Sequence, residues 1–114
     1  MGKYIPERGD VIWIKINPQV GHEPDGRGHA IVLSPSAYNS KVGLALLCPI
    51  TNQVKGYPFE AIIPEGLDIA GAILSDQVKG LEWKRRNAEC FIKIPETVAF
   101  EVFKKLEVLL HIDD

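Results

Sequence analysis

Cysteine, histidine and methionine are scarce in this 114-residue sequence, and each shortage excludes some chemistry. The two cysteines, Cys48 and Cys90, are far apart and form no Cys-x-x-Cys pair, so a disulfide framework is not indicated. Two buried, reduced thiols are expected, as in a reducing cytoplasm. The three histidines, His22, His29 and His111, are scattered and join no cysteine cluster, which argues against a structural zinc site. No run approaches the roughly 18–20 apolar residues of a membrane helix. The opening Met1-Gly2-Lys3-Tyr4-Ile5-Pro6-Glu7 lacks the basic-then-apolar order of a secretion signal. Pro6 also stands where a myristoylation signal needs Ser or Thr. There is no Gly-x-Ser-x-Gly, no Walker loop and no His-Glu-x-x-His. An excess of basic charge is missing too. Lys and Arg total 13 against 15 acidic residues, a net charge of −2. A general polyanion binder is excluded. Nucleic acid would need a local patch, and its binding would depend strongly on salt.

What remains is an ordinary globular composition, 46% hydrophobic and 25% charged, which rules out disorder. The length suits a single domain over residues 1–114, since two separate cores would be too small. Ten Gly and eight Pro fall between short apolar runs, the pattern of a small β-rich domain. Strands are expected at 11–16, 30–33, 44–48, 59–63, 71–74 and 90–94, with a short stretch around 77–78. Pro35 and Pro49 are expected to close the second and third. Tyr38-Asn39-Ser40-Lys41 reads as a turn or a short helical piece. Val98, Val102, Phe103, Leu106, Leu109 and Leu110 recur at helical spacing, with Glu101, Lys104, Lys105 and Glu107 opposite. Pro95 suits the first turn of that helix, and Glu96 suits its positive end. The coarse reading is a strongly bent β-sheet or barrel with a C-terminal amphipathic helix.

Three polar segments could carry chemistry. The first, 21–29, offers Glu23, Asp25, Arg27 and His29 in an exposed, mobile loop. The second, 51–58, offers Thr51, Asn52, Gln53 and Lys55. The third, Lys79 to Arg86, sets four cations around Trp83. Trp stacks on bases and Lys and Arg neutralise phosphate, so this could be an RNA patch. It could equally be a solvated turn with Trp83 in the core.

The ordered series Gly9-Asp10-Val11-Ile12-Trp13, Gly21-His22-Glu23, Ala30-Ile31-Val32-Leu33-Ser34-Pro35, Tyr38-Asn39, Cys48-Pro49-Ile50-Thr51, Lys55-Gly56-Tyr57-Pro58-Phe59-Glu60 and Asp76-Gln77-Val78-Lys79 with Trp83 closely resembles the MazF/PemK family of toxin endoribonucleases. The similarity runs from about Tyr4 to Leu110. It implies a mainly β, compact SH3-like barrel of the CcdB/PemK type, with a C-terminal amphipathic helix and short extra helical pieces. It implies a cytoplasmic homodimer that cuts single-stranded RNA, chiefly mRNA, at short motifs without metal or cofactor. The products would be a 2′,3′-cyclic phosphate and a 5′-hydroxyl. A cognate antitoxin would block the RNA groove with an extended acidic tail.

The nucleophile in such cleavage is the ribose 2′-hydroxyl, so the protein need only orient the phosphate, move protons and stabilise charge. The resemblance implies a catalytic Thr, matched by Thr51, and an Arg just before the second strand. Gly28 stands in that Arg position, and His29 stands where a proline is usual. Three readings stay open. Arg27 reaches the phosphate, or His29 takes part of the acid–base role, or the chain is an inactive copy. The resemblance further implies RNA contacts by Glu23, Asn39, Lys55, Gln77, Lys79 and Arg86. A rival reading is a toxin of the CcdB kind that acts by gripping a protein.

Overall fold

Val11, Ile12 and Ile14 are all fully buried, so strand β1 (Asp10–Lys15) is covered on both of its faces. Side chains alternate along a strand, and two apolar clusters result. Val11 joins Ile31, Leu33, Cys48 and Ile50 under a C-terminal helix. Ile12, Ile14 and Ile16 join Ala30, Val32, Ala45, Leu47 and Trp83 on the other side. These relations come from a computed structural model that describes residues 4–16 and 26–111.

The remaining strands are β2 (Arg27–Val32), β3 (Leu44–Thr51), β4 (Glu60–Ile62), β5 (Ala72–Leu74), β6 (Lys79–Glu82) and β7 (Glu89–Lys93). They form one seven-stranded sheet in the order β4-β5-β3-β2-β1-β7, with β6 also on β3. Every pairing is antiparallel. The expected barrel-like fold is present, with the sheet open between β4 and β7. Helix α1 (Ser36–Val42) fills the expected helical piece, and α2 (Glu96–Leu110) is the expected amphipathic helix. Pro95 precedes α2 as its N-cap rather than lying in its first turn. Val98, Ala99 and Val102 form the buried stripe of α2. Among the described residues no helix is long and apolar enough to cross a membrane.

Four expectations need correction. Arg27, Gly28 and His29 belong to β2 rather than to an exposed loop, and Lys79–Glu82, read as part of a polar segment, is strand β6. Strand β3 does not end at Pro49 but runs through it to Thr51. Residues Leu44–Leu47 pair with β6, while Ile50 and Thr51 pair with β5. Pro49 falls between these partners, where a missing N–H is tolerated. Cys48 is buried as expected, but Cys90 is exposed. It lies on β7, a terminal strand with β1 as its partner, where the register shifts between Val11 and Ile12. Val11 pairs with Ile92 and Ile12 with Cys90, so Phe91 is an extra residue that bulges out. Burial pushes the Cys48 thiol up to about 12, with Asp76 adding to the effect. That thiol stays protonated at neutral pH.

Two buried polar clusters tie the fold together. Asp10 is 2% exposed and accepts hydrogen bonds from the Tyr4 hydroxyl, the Glu7 N–H at 3.0 Å and Lys93 Nζ at 2.6 Å. Asn39 is fully buried in α1. Its Nδ2 donates to the carbonyls of Pro6 at 2.8 Å and Ser34 at 3.1 Å, and its Oδ1 accepts the Ser34 hydroxyl at 2.5 Å. Its own carbonyl accepts Trp83 Nε1 at 3.1 Å. Replacing Asn39 by Ala would strand several of these groups, and a loss of about 2–4 kcal/mol of stability is expected. Urea unfolding checks this, and a change below about 0.5 kcal/mol, the scatter of an ordinary surface substitution, would remove Asn39 from the list of structural residues.

Candidate functional site

The end of β3 feeds two clefts. Thr51 and Gln53 line a small one of about 120 Å³ with Lys55, Tyr57, Glu60, Leu74 and Gln77. Ile50 and Asn52 line a second, of about 210 Å³, with Trp13, Arg27, Gly28, His29, Ile69 and Ala70. Strand β3 ends at Thr51 and the chain bends at Asn52, and the two residues line different clefts.

The loop carrying Lys55 is held from below by a carboxylate. Glu60 is 6% exposed and accepts the N–H groups of Lys55, at 3.0 and 3.2 Å, and of Gly56, at 2.7 Å. Gly56 has a φ of +85°, which an L side chain rarely adopts. The run Lys55 to Glu60 is therefore a loop folded around its own acid. The Tyr57 hydroxyl donates to Asp76 Oδ1 at 3.3 Å. Burial, with Asp76 and Glu60 nearby, raises the Tyr57 phenol above its ordinary range, so it keeps its proton. Thr51 Oγ1 accepts the Gln53 N–H at 3.1 Å, which leaves its hydroxyl hydrogen for another acceptor. A Cβ on Gly71 would stand 2.1 Å from the Thr51 carbonyl oxygen, so a bare backbone is needed beside Thr51.

Arg27 and His29 project on one side of β2 and Gly28 on the other. Arg27 Nη2 donates to the carbonyls of Trp13 at 3.3 Å and Asn87 at 3.0 Å, and contacts Glu89 Oε2 at 3.4 Å. Its guanidinium carbon lies 5.4 Å from the Trp13 ring centre. The His29 ring stands 4.7 Å from Trp13 and 4.6 Å from Phe91. Burial lowers the His29 pKa from its ordinary 6.5, which favours a neutral ring at pH 7. A Cβ on Gly28 would meet the flexible Ile16 Cδ1 at 3.4 Å, ordinary contact.

Of the residues expected from sequence, Thr51, Lys55 and Gln77 are thus brought together. Arg27 and His29 share the neighbouring cleft and do not line the Thr51 one. Lys79 is half-buried where β6 begins. Arg86 anchors the end of β1, with Nη1 donating to the carbonyls of Lys15 at 3.0 Å and Ile16 at 2.7 Å. Glu23 lies outside the described residues. Asn39 cannot read a base, because it is fully buried and its amide is engaged. Trp83 is likewise a core residue, 9% exposed, rather than a stacking platform. Sequence reasoning missed Trp13 and Tyr57 as cleft walls and Glu60 as the loop's anchor. A carboxylate placed four residues after the loop glycine was the available signal for Glu60.

An antiparallel sheet with a C-terminal helix and polar clefts at one strand end defines a small barrel-like β class, and comparison with known proteins makes this specific. Residues 7–110 match the model of the PemK-like, MazF-like toxin of type II toxin–antitoxin systems. The chain belongs to that family. It is 44% identical over 88 residues to the endoribonuclease toxin MazF of Escherichia coli K12, covering 77% of this chain and 78% of that protein. Its fold matches crystal structures of Deinococcus radiodurans MazF, at 44% identity and a TM-score of 0.87, and MazE–MazF, at 39% and 0.85. These alignments cover 96% and 97% of this chain and 100% of each matched chain.

The lowered His29 pKa has a consequence for stability. The unfolded chain takes up a proton on His29 below about pH 6.5, and the folded chain takes it up only at lower pH. Stability is therefore full above that value and falls as pH drops toward the folded pKa. His29→Phe should remove this part of the fall. Urea midpoints of chain and variant at pH 7.5 and pH 5 check it, and parallel losses in both would refute it.

Proposed function

We propose that this chain, like the relatives named as MazF endoribonucleases, is a toxin endoribonuclease, and that it cuts single-stranded RNA at short motifs. The observation that carries the reading is the convergence of Thr51, Lys55 and Gln77 on one cleft over a rigid loop. In the reaction the ribose 2′-oxygen forms a bond to phosphorus, and the bond from phosphorus to the 5′-oxygen breaks. The 2′-hydroxyl proton is lost and the leaving 5′-oxygen gains one. The products are a 2′,3′-cyclic phosphate and a 5′-hydroxyl, and no protein nucleophile or metal is required. The Thr51 hydroxyl donates to a non-bridging oxygen while the Gln53 N–H fixes its orientation. Lys55 offsets the growing charge. Gln77 and Lys79 contact the strand further along.

A second reading, a weakened or silent copy, is favoured by one observation. Arg27 is held over Trp13 by Asn87 and Glu89, and Gly28, in the position where the resemblance expects an Arg, has no side chain to offer. The deciding assay is cleavage of a long single-stranded RNA in EDTA, with product ends mapped. The unaltered chain should cut, and Thr51→Ala should slow it about 100-fold or more. Cutting by Gly28→Arg alone would select the silent copy. Silence from all three would overturn the ribonuclease reading and favour a protein target.

The working form is a cytoplasmic homodimer whose shared groove doubles the copies of Lys55 and Lys79 near one strand, so that local field outweighs the net charge. The cognate antitoxin lays an extended acidic tail along the same cations. The crystal structure of MazE–MazF from Deinococcus radiodurans supports a partner of this kind. Light scattering should give twice 12.7 kDa at micromolar concentration. A monomer there would remove the shared groove.

A further inference from the structure

The cleft of about 210 Å³ beside the Thr51 site is walled by Trp13 and His29 from β1 and β2 and by Ile50, Ile69 and Ala70. Its aromatic wall belongs to a continuous ladder. Arg27 lies over Trp13, Trp13 meets His29, and His29 meets Phe91, with tilted rings 4.7 and 4.6 Å apart. The ladder is rigid. Arg27 is pinned by two carbonyls and a carboxylate, and Phe91 is turned toward His29 by the bulge in β7. With Arg27 and the bare backbone of Gly28 completing the lining, the apolar and aromatic walls and the exposed amide of Asn52 leave room for a flat ring and a way to read its edge. The volume is below the roughly 300–1,000 Å³ of drug-sized sites, which suits one ring system rather than a stacked pair.

We propose that this cleft is a nucleobase subsite: one unstacked base of the RNA lies against the Trp13–His29 wall, and Asn52 hydrogen-bonds its edge. The inference rests on the ribonuclease reading and adds specificity to it. Asn52 and Thr51 are consecutive but face opposite clefts. A strand with its phosphate at Thr51 can therefore place a neighbouring base over the rim at Asn52. The Asn amide offers a donor and an acceptor together, the complement of a base edge. A preformed wall loses little side-chain freedom on binding. The lowered His29 pKa fits a neutral ring in a stack and not a proton carrier at the phosphate.

The test uses the full chain and a short 2′-deoxy oligonucleotide of the cleavage motif, mapped with whichever form cuts. Versions with one base removed at each position are compared by equilibrium binding. Removing the base at one position should weaken binding to the unaltered chain roughly 5- to 100-fold, the range of a single base–aromatic stack. The same removal should cost clearly less in His29→Leu and in Asn52→Ala, because each variant has already lost part of the base's contacts. Asn52 is exposed, so its variant keeps the fold if His29→Leu does not. Equal penalties in chain and variants at every position would overturn the subsite while leaving the ribonuclease intact. Loss of antitoxin affinity in the variants with those penalties unchanged would assign the cleft to a peptide side chain, and also overturn it. No binding and no cleavage by the unaltered chain would overturn both readings.

Discussion

Strand β3 is paired along both edges, and the placement of every cleft depends on that. One edge carries β2, and the other carries β6 and then β5. Its faces are buried as well, Ala45 and Leu47 in one cluster and Cys48 and Ile50 in the other. A strand enclosed in this way cannot slip, because a shift of one residue would turn each apolar side chain to the wrong face. The same register delivers Thr51 to one cleft and Ile50 to the next. The division of chemistry between a polar cleft and an aromatic one is therefore a by-product of core packing.

Charge is managed locally rather than in total. The Glu60 carboxylate is turned inward onto backbone N–H groups, and Asp10 is turned inward onto Lys93 and Tyr4. Hydrogen bonds to an ionised acceptor are among the stronger ones, so these acids stabilise loops while presenting little negative charge to the surface. Arg27 and Arg86 are drawn onto backbone carbonyls. What remains at the Thr51 cleft is Lys55, a cation over a neutralised loop. A net charge of −2 is compatible with an anion-binding surface when the acids are arranged in this way.

Most strands and both helices were legible because β-branched runs, Pro and Gly breaks and helical spacing are local signals, whereas β6 lay hidden in a segment that reads as polar. Thr51, Lys55 and Gln77 were legible through their motifs. Asn39 was misread, and Trp83 was left between two readings, because a polar amide or an indole looks the same in sequence whether it faces solvent or closes a buried network. Arg27 was left open in the sequence for a related reason. Being next to Gly28 in sequence means being on the opposite face of β2. Cys90 and Phe91 depended on a bulge and a terminal strand, which leave no mark in a run of alternating residues.

By itself the sequence determined the family, the mainly β architecture with its terminal helix, and the residue types that could handle a phosphate. Those depend on short-range patterning, which the chain carries wherever it folds. Only the tertiary structure decided which of those residues meet. Strand register, the inward turn of Glu60, the close approach of Gly71 to Thr51 and the aromatic ladder from Arg27 to Phe91 all join parts of the chain that are distant in sequence. Such contacts are set by how two cores pack on opposite faces of one sheet, and no local pattern encodes that.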